Sequence, residues 1–99
     1  MANEKNGLWL DETDDFTTIG LTLTSLDELG EISFASLPKV GQILAMDDVL
    51  AELEAEKAVS EFKSPVAGTV SEINQIFLQT PEKIDPKDEV AAWIVKIKK

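Results

Sequence analysis

The chain has 99 residues, which is enough for one domain with a modest core, and 43% of them are hydrophobic. Its net charge of −10 disfavours nucleic acid as a partner, because binding to phosphates requires a basic surface. The lack of histidine and cysteine excludes Ser-His-Asp and Cys-His nucleophiles, as well as thiolate or imidazole zinc sites. We therefore expect that the protein is not an enzyme and that any reactive group is attached to it.

The acidic residues are concentrated in the first half of the chain. Residues 1–50 contain ten acidic residues and two lysines, whereas residues 51–99 contain nine acidic residues and seven lysines. An acidic surface can steer a protein towards basic partner proteins, or it can simply keep the protein in solution. The pairs Asp14–Asp15 and Asp47–Asp48 lack the spacing of a calcium loop, so no metal is expected.

The sequence gives no indication of a membrane segment or a secretory signal. No stretch approaches the ~20 apolar residues that a membrane-spanning helix needs. The first residues, MANEKNG, lack the basic and apolar blocks of a signal peptide. We therefore predict a mature cytoplasmic protein that does not act at a membrane.

The first predicted elements are a strand and a short helix. Residues 17–24 (TTIGLTLT) alternate apolar and polar side chains, which is the period-two pattern of a half-buried strand. Ser25 then offers a helix N-cap, with Glu28 three residues later and Gly30 as the stop. One helical turn is therefore predicted between this strand and the next.

A second strand is predicted over residues 31–38 (EISFASLP), where Ile32 and Phe34 alternate with polar residues and Pro38 ends the ladder. The six aromatic residues are mostly isolated in sequence, so core packing is favoured over a stacking site. These residues are Trp9, Phe16, Phe34, Phe62, Phe77 and Trp93.

Further turns and strands are predicted in the rest of the chain. Turns are expected at Gly41, at Asp47–Asp48 and at Ala67–Gly68, the last leading into another strand. Residues 93–98 (WIVKIK) form a final strand with its lysines directed outward. Short strands separated by turns about every eight to twelve residues indicate a small all-β sandwich or barrel.

Residues 51–65 (AELEAEKAVSEFKSP) allow two interpretations of Lys57. Alanine, leucine, glutamate and lysine are strong helix formers, so propensity predicts a helix. In that helix Lys57 would pair with Glu54 and Glu61, at about 0.2–0.5 kcal/mol per pair, without any special function. The alternative is that Lys57 is a chemical attachment point. The residues alone leave both interpretations open.

The same segment resembles the lipoyl-attachment hairpin of the glycine cleavage system H protein family, through E-A-E-K-A followed by V-S-E-F-K-S-P-V-A-G. The preceding LGEISFASLPKVGQ is similar to that family's Leu-Gly-acid, strand and Leu-Pro-x-x-Gly segment, and residues 93–98 are similar to its closing strand. Ile19-Gly20 lies where the family has its Ile-Gly strand. The resemblance covers roughly residues 7–98. It implies a lipoyl/biotinyl-type barrel-sandwich hybrid with one or two short helices, as a single lipoyl-carrier domain over residues 1–99.

The resemblance also implies a site and partners. Lys57 would carry lipoate through an amide bond on the turn of a protruding β-hairpin, with Glu54, Glu56, Ala58 and Glu61 recognised by the modifying ligase. The carrier would shuttle an aminomethyl group during glycine cleavage. Its implied partners are a lipoate-protein ligase or lipoyl transferase, glycine decarboxylase, aminomethyltransferase and dihydrolipoamide dehydrogenase.

The sequence departs from the family pattern in two places. The family's His-Glu-Trp is Gly7-Leu8-Trp9 here, so Leu8 replaces a glutamate that, in the family, helps to hold the lipoyl arm with its cargo. Before the last strand, DPKDEVAAW replaces the family's Pro-Tyr-Gly and Gly-Trp. Three alternatives therefore stay open. The first is an H-like carrier that serves either lipoate relay or a lipoyl-dependent protein ADP-ribosylation system. The second is a free-standing lipoyl domain of an acyltransferase. The third is an unmodified interaction module. A biotin carrier is disfavoured because no methionines flank Lys57.

Overall fold

The computed structural model describes residues 3–99, and these residues form nine strands, two α-helices and one 3₁₀ turn. The strands are β1 (Asn3–Lys5), β2 (Leu8–Glu12), β3 (Phe16–Leu21), β4 (Ile32–Ser36), β5 (Ile43–Leu44), β6 (Val49–Ala55), β7 (Val59–Lys63), β8 (Gly68–Ile73) and β9 (Trp93–Lys98). The helices are α1 (Leu23–Leu29) and α2 (Gln75–Gln79), and the 3₁₀ turn is Pro81–Lys83. Neither helix within residues 3–99 is long and apolar enough to cross a bilayer.

The strands form two antiparallel sheets that enclose a common core. The larger sheet has the order β1-β2-β3-β9-β8-β5, and the smaller sheet has the order β4-β6-β7. Alternating residues of both sheets point inward, and burial of these apolar side chains drives the sheets together. Fully buried members of the core include Leu8, Ile19, Leu21, Leu50, Leu53, Ile94 and Ile97. This arrangement confirms the predicted all-β architecture with two short helices.

The helix α1 begins earlier than the sequence predicted. Thr22, not Ser25, is the N-cap, and its side-chain oxygen accepts the Ser25 backbone N–H at 3.2 Å. The predicted strand over residues 17–24 is correspondingly shorter, because β3 ends at Leu21. Ser25 is buried, and its hydroxyl donates to the Gly7 carbonyl at 2.7 Å. The stop at Gly30 is confirmed, since Gly30 is the C-cap.

The prediction that the aromatic residues pack in the core is wrong for Phe34, whose side chain is 53% exposed. The register between β4 and β6 shifts between Ile32 and Phe34, so Ser33 is an extra residue at this point. Such a bulge reverses the alternation of the residues that follow it. Phe34 therefore lies on the outer face, whereas Ile32 remains buried. The other aromatics are buried or half-buried, namely Trp9, Phe16, Phe62, Phe77 and Trp93.

The turn predicted at Ala67–Gly68 lies slightly earlier. The bend is at Pro65–Val66, where the buried Ser64 hydroxyl donates to the Val66 carbonyl at 2.6 Å. Gly68 is already the first residue of β8. A side chain at Gly68 would overlap Ile97 and the Lys98 carbonyl, so the glycine permits close approach of β8 to β9 rather than forming the turn.

Candidate functional site at the tip of the β6–β7 hairpin

The strands β6 and β7 form an antiparallel hairpin with Lys57 in its turn. Their register places Glu54 opposite Val59. The backbone N–H of Ala55 donates to the Ala58 carbonyl at 2.9 Å, which leaves Glu56 and Lys57 as the two turn residues. The sequence at this point is therefore a strand, a tight turn and a second strand.

The helix interpretation of residues 51–65 is wrong, because burial overrides helix propensity here. In β6 and β7, Leu53 and Phe62 face the core, whereas Glu52, Glu54 and Glu61 face solvent. This period of two lets both strands bury one apolar face, and tertiary packing of that kind outweighs weak intrinsic preferences. Within residues 3–99, the ion pairs join Lys96 to Glu72 and Lys99 to Glu12 and do not include Lys57.

The turn is docked by its backbone on the connection between α1 and β4. The Lys57 backbone N–H donates to the Leu29 carbonyl at 2.9 Å, and the Glu56 backbone N–H donates to the Glu31 carbonyl at 2.8 Å. Both acceptors flank the C-cap residue Gly30. Two hydrogen bonds across different elements fix the position of the turn, so Lys57 does not lie on a freely moving loop.

Gly30 permits this docking in two ways. Its backbone has φ of 74° and ψ of −149°, a region that is essentially restricted to glycine. A Cβ atom at this position would also lie 2.8 Å from Oε1 of Glu56 and 3.3 Å from Cγ of Lys57. The sequence pattern identified Gly30 only as a helix stop. Its second role, which is to leave space for Glu56 and Lys57, depends on a tertiary contact. The only signal of that contact in the sequence was the resemblance to the family's Leu-Gly-acid segment.

The side chain of Lys57 is exposed and lies beside the C-terminal end of α1. Its Nζ donates to the Asp27 backbone carbonyl at 3.1 Å. Carbonyls in the last turn of a helix lack intrahelical donors, so a cationic side chain is a suitable partner for them. Lys57 is therefore accessible to another protein while its position is still defined.

The structure places the four residues predicted to contact a ligase around the turn. Glu56 precedes Lys57 in the turn itself, and the half-buried Ala58 follows it. Glu54 lies on the outer face between Phe34 and Val59, and Glu61 lies on the same face opposite Glu52. The outer face near the turn is therefore acidic, with Phe34 and Val59 as exposed apolar neighbours.

A groove of about 540 Å³ lies on one side of α1, and we call it the carboxylate groove. Glu4, Glu28 and Glu61 line it, together with Ala58 next to Lys57. The sequence pattern did not identify Glu4 or Glu28 as site residues. Leu8 does not contribute, because its side chain is fully buried in the core. Leu8, which stands where the family has a glutamate, therefore does not line this groove, and the acidic residues that do are Glu4, Glu28 and Glu61.

A second groove, of about 290 Å³, lies on the other side of α1, and we call it the Ile84 groove. Leu26, Ile84 and Pro86 line it, and Lys57 itself forms part of its wall. The α1 residues of the two grooves differ: Glu28 belongs to the first, whereas Leu26 belongs to the second. At about 100° per residue these positions lie on different faces of the helix. The Ile84 groove is also lined by four acidic residues, Asp27, Glu31, Glu56 and Glu82, so both grooves beside α1 are acidic.

Known proteins resemble this chain along most of its length. The glycine cleavage H-protein family model matches residues 1–99. A probable glycine cleavage system H protein from Pyrococcus furiosus is 43% identical over 91 residues, which are 91% of this chain and 67% of that protein. The glycine cleavage system H protein of Clavibacter sepedonicus is 36% identical over 90 residues, which are 91% of this chain and 73% of that protein.

A solved structure resembles the fold as well. The crystal structure of a glycine cleavage system H protein from Mycobacterium marinum matches with a TM-score of 0.83 and 26% sequence identity, over 93% of this chain and 77% of that one. This likeness confirms the predicted barrel-sandwich hybrid. With the family match along the whole sequence, it shows that this chain belongs to the glycine cleavage H-protein family.

Proposed function

We propose that this chain is a lipoyl carrier of glycine cleavage, with lipoate joined to Nζ of Lys57 by an amide bond and an aminomethyl group as its cargo. The observation that carries the proposal is the position of Lys57, an exposed lysine on a two-residue turn whose backbone is hydrogen-bonded to Leu29. The chain itself acts as a carrier rather than a catalyst.

The residues at the turn fit a covalently attached lipoyl group. A modifying enzyme must reach the lysine amine, and the group must then project from a fixed point. Lys57 meets both requirements, because its side chain is exposed while the backbone N–H groups of Glu56 and Lys57 are bound. When attached, lipoate supplies a disulfide that accepts electrons and a transferable group. The chain supplies the tether, which raises the effective concentration of that group at each partner.

The acidic residues near the turn are proposed to guide the modifying enzyme. Glu54, Glu56 and Glu61 are exposed around Lys57, so a lipoate-protein ligase or lipoyl transferase with a basic surface would be oriented towards this lysine. Ala58, directly after Lys57, has a small side chain that leaves room for the enzyme beside the amine. These residues would act in recognition and not in chemistry.

The carboxylate groove supports glycine cleavage over the other lipoyl-dependent systems. An aminomethyl cargo carries a basic nitrogen, and a groove lined by Glu4, Glu28 and Glu61 would attract it in the protonated form. Lipoate relay and protein ADP-ribosylation involve no such amine on the arm. We accordingly propose glycine decarboxylase, aminomethyltransferase and dihydrolipoamide dehydrogenase as the partners that receive the carrier in turn.

The proposal is tested by intact-mass spectrometry and peptide mapping of the full chain after incubation with a lipoate-protein ligase, ATP and lipoate. We expect a single lipoyl adduct on Lys57. The Lys57→Arg variant should stay folded and unmodified, because arginine keeps the charge but not the nucleophilic amine. Lys63→Arg is the matched control and should be modified like the wild type. An adduct that persists on Lys63 in Lys57→Arg would show that the assigned site is wrong.

A further inference from the structure

The outer face of the smaller sheet carries two exposed apolar side chains near the hairpin turn. The register of the sheet places Phe34 opposite Glu54 and Glu54 opposite Val59, so these residues form one row across β4, β6 and β7. We call these three residues the outer row. Phe34 is 53% exposed and Val59 is 76% exposed. The outer row is the row nearest to the turn that carries Lys57, because Glu54 and Val59 are the last pair in the register of β6 and β7.

The next row of the same face is polar. Ser36, Glu52 and Glu61 lie opposite one another there, two residues further along each strand from the turn. Polar side chains of this kind are normal on the solvated face of an antiparallel sheet. The outer row differs, since an aromatic and a β-branched side chain flank its carboxylate. Aromatic residues are enriched in protein–protein contacts, and exposed apolar groups rimmed by polar ones mark such contacts.

We propose that the outer row is a docking surface for the enzyme that attaches lipoate to Lys57, with Phe34 and Val59 as its apolar contacts. The inference rests on the proposed function, which requires such an enzyme. The modifying enzyme must bring its reactive group to Nζ of Lys57, so its surface must lie against the elements next to the turn. The later partners act instead on the far end of the attached arm, which does not require contact with the outer row.

The charge of the outer row indicates what the docking enzyme presents. Glu54 is exposed, and within residues 3–99 the ion pairs do not include it. Residues opposite each other in adjacent strands have Cβ atoms about 4.5–5.5 Å apart, so Phe34 and Val59 are roughly 10 Å apart with the carboxylate between them. The complementary surface is therefore a lysine or arginine side chain with an apolar patch on either side.

Glu54 and its two apolar neighbours contribute differently to docking. A carboxylate attracts a basic surface over a distance that salt shortens, so it mainly raises the association rate. Apolar contacts act only once the surfaces touch, so they mainly slow dissociation. The effect of removing Phe34 should therefore be the same at low and high salt, whereas the effect of removing Glu54 should shrink as the salt concentration rises.

The test measures kcat/KM for modification of the full chain by a lipoate-protein ligase with ATP and lipoate, at about 0.02 and about 0.2 M salt. Phe34→Thr removes the ring but keeps a strand-forming residue. It should lower kcat/KM about three- to tenfold at both salt concentrations, through a higher KM at unchanged kcat. Ile43→Thr is the matched control, because Ile43 is a 77% exposed strand residue of the larger sheet. This control should be modified like the wild type.

Two further measurements separate docking from a change in the hairpin itself. Phe34→Leu keeps an apolar side chain and should restore kcat/KM to within about twofold of the wild type. Hydrogen exchange at the backbone amides of Glu56 and Lys57 should be unchanged in Phe34→Thr, since their acceptors, the carbonyls of Glu31 and Leu29, precede β4. Faster exchange together with a lower kcat would show that Phe34 acts through the turn, and it would overturn the proposal.

The second apolar residue of the outer row gives an independent test. Val59→Thr has nearly the same shape as the wild type and should lower kcat/KM about two- to threefold at both salt concentrations. Wild-type rates in both Phe34→Thr and Val59→Thr would overturn this inference alone. Normal modification of these variants with slower transfer between the later partners would assign the outer row to those partners instead. No modification of the wild type would overturn the proposed function and this inference together.

Discussion

Lys57 and Lys63 lie in the same hairpin but in different local environments. Lys63 is a strand residue opposite Val49 at the far end of β7. Lys57 lies in the turn, where the Leu29 carbonyl binds its backbone N–H and the Asp27 carbonyl binds its Nζ. Both lysines are exposed, so exposure alone does not distinguish them. The defined position of the Lys57 backbone is the physical reason to expect modification at this residue.

At the same scale, Glu54→Ala should slow modification of Lys57 by a ligase about three- to tenfold in kcat/KM, because a charge at the rim of an encounter surface mainly changes the association rate. The free energy of unfolding should change by only ~0–1 kcal/mol, since the carboxylate is exposed. Glu52→Ala is the control, as it removes the same charge from the same strand further from the turn. If both variants are modified equally fast, Glu54 has no specific role in recognition.

At the scale of elements, the connection between α1 and β4 determines where the hairpin turn lies. Gly30→Ala should lower the free energy of unfolding by about 1–3 kcal/mol, because a non-glycine residue is strained at this φ and ψ. Its Cβ would also displace Glu56 and Lys57. We therefore expect faster hydrogen exchange at the backbone amides of these two residues, measured by NMR, and slower modification of Lys57.

Gly41→Ala is the matched control for this prediction. Gly41 also has a positive φ, of 91°, but no atom lies within 4 Å of a Cβ placed there. This variant should carry backbone strain without any effect on the turn. Faster exchange at Glu56 and Lys57 in both variants would mean that Gly30 acts through general destabilisation and not through the docked turn.

The elements that the sequence predicted well are those set by local alternation. Strands β3 and β9 follow from the period-two pattern, because burial of one face is a local property of the sequence, and the same pattern predicted that β4 exists but not which way all its side chains face. Three features could not be predicted in this way. The first is the strand structure of residues 51–65, where the packing of Leu53 and Phe62 overrides helical propensity. The second is the outward position of Phe34, which a bulge causes. The third is the contact of Gly30 with a turn that is distant in sequence.

At the scale of the whole molecule, the net charge of −10 should make association with a basic ligase dependent on salt. We expect kcat/KM for modification to fall about three- to tenfold as the salt concentration rises from about 0.02 to about 0.2 M. A variant with both Glu54→Ala and Glu61→Ala should show a shallower dependence, because it removes two of the charges on the outer face of the hairpin that carries Lys57. A rate that does not depend on salt would show that charge does not steer this encounter.

The docking of the turn also determines whether the hairpin can be transplanted into another protein with its turn still in the same position. A hairpin tip usually tolerates insertion and transplantation, because its backbone groups are hydrogen-bonded only within the tip or to water. In this molecule the amides of Glu56 and Lys57 are bound by carbonyls of Leu29 and Glu31, which belong to a separate part of the chain. A peptide containing only residues 49–63 would keep the sequence around Lys57 but lose both acceptors. The hairpin is therefore not a portable acceptor tag unless α1 and the start of β4 are transferred with it.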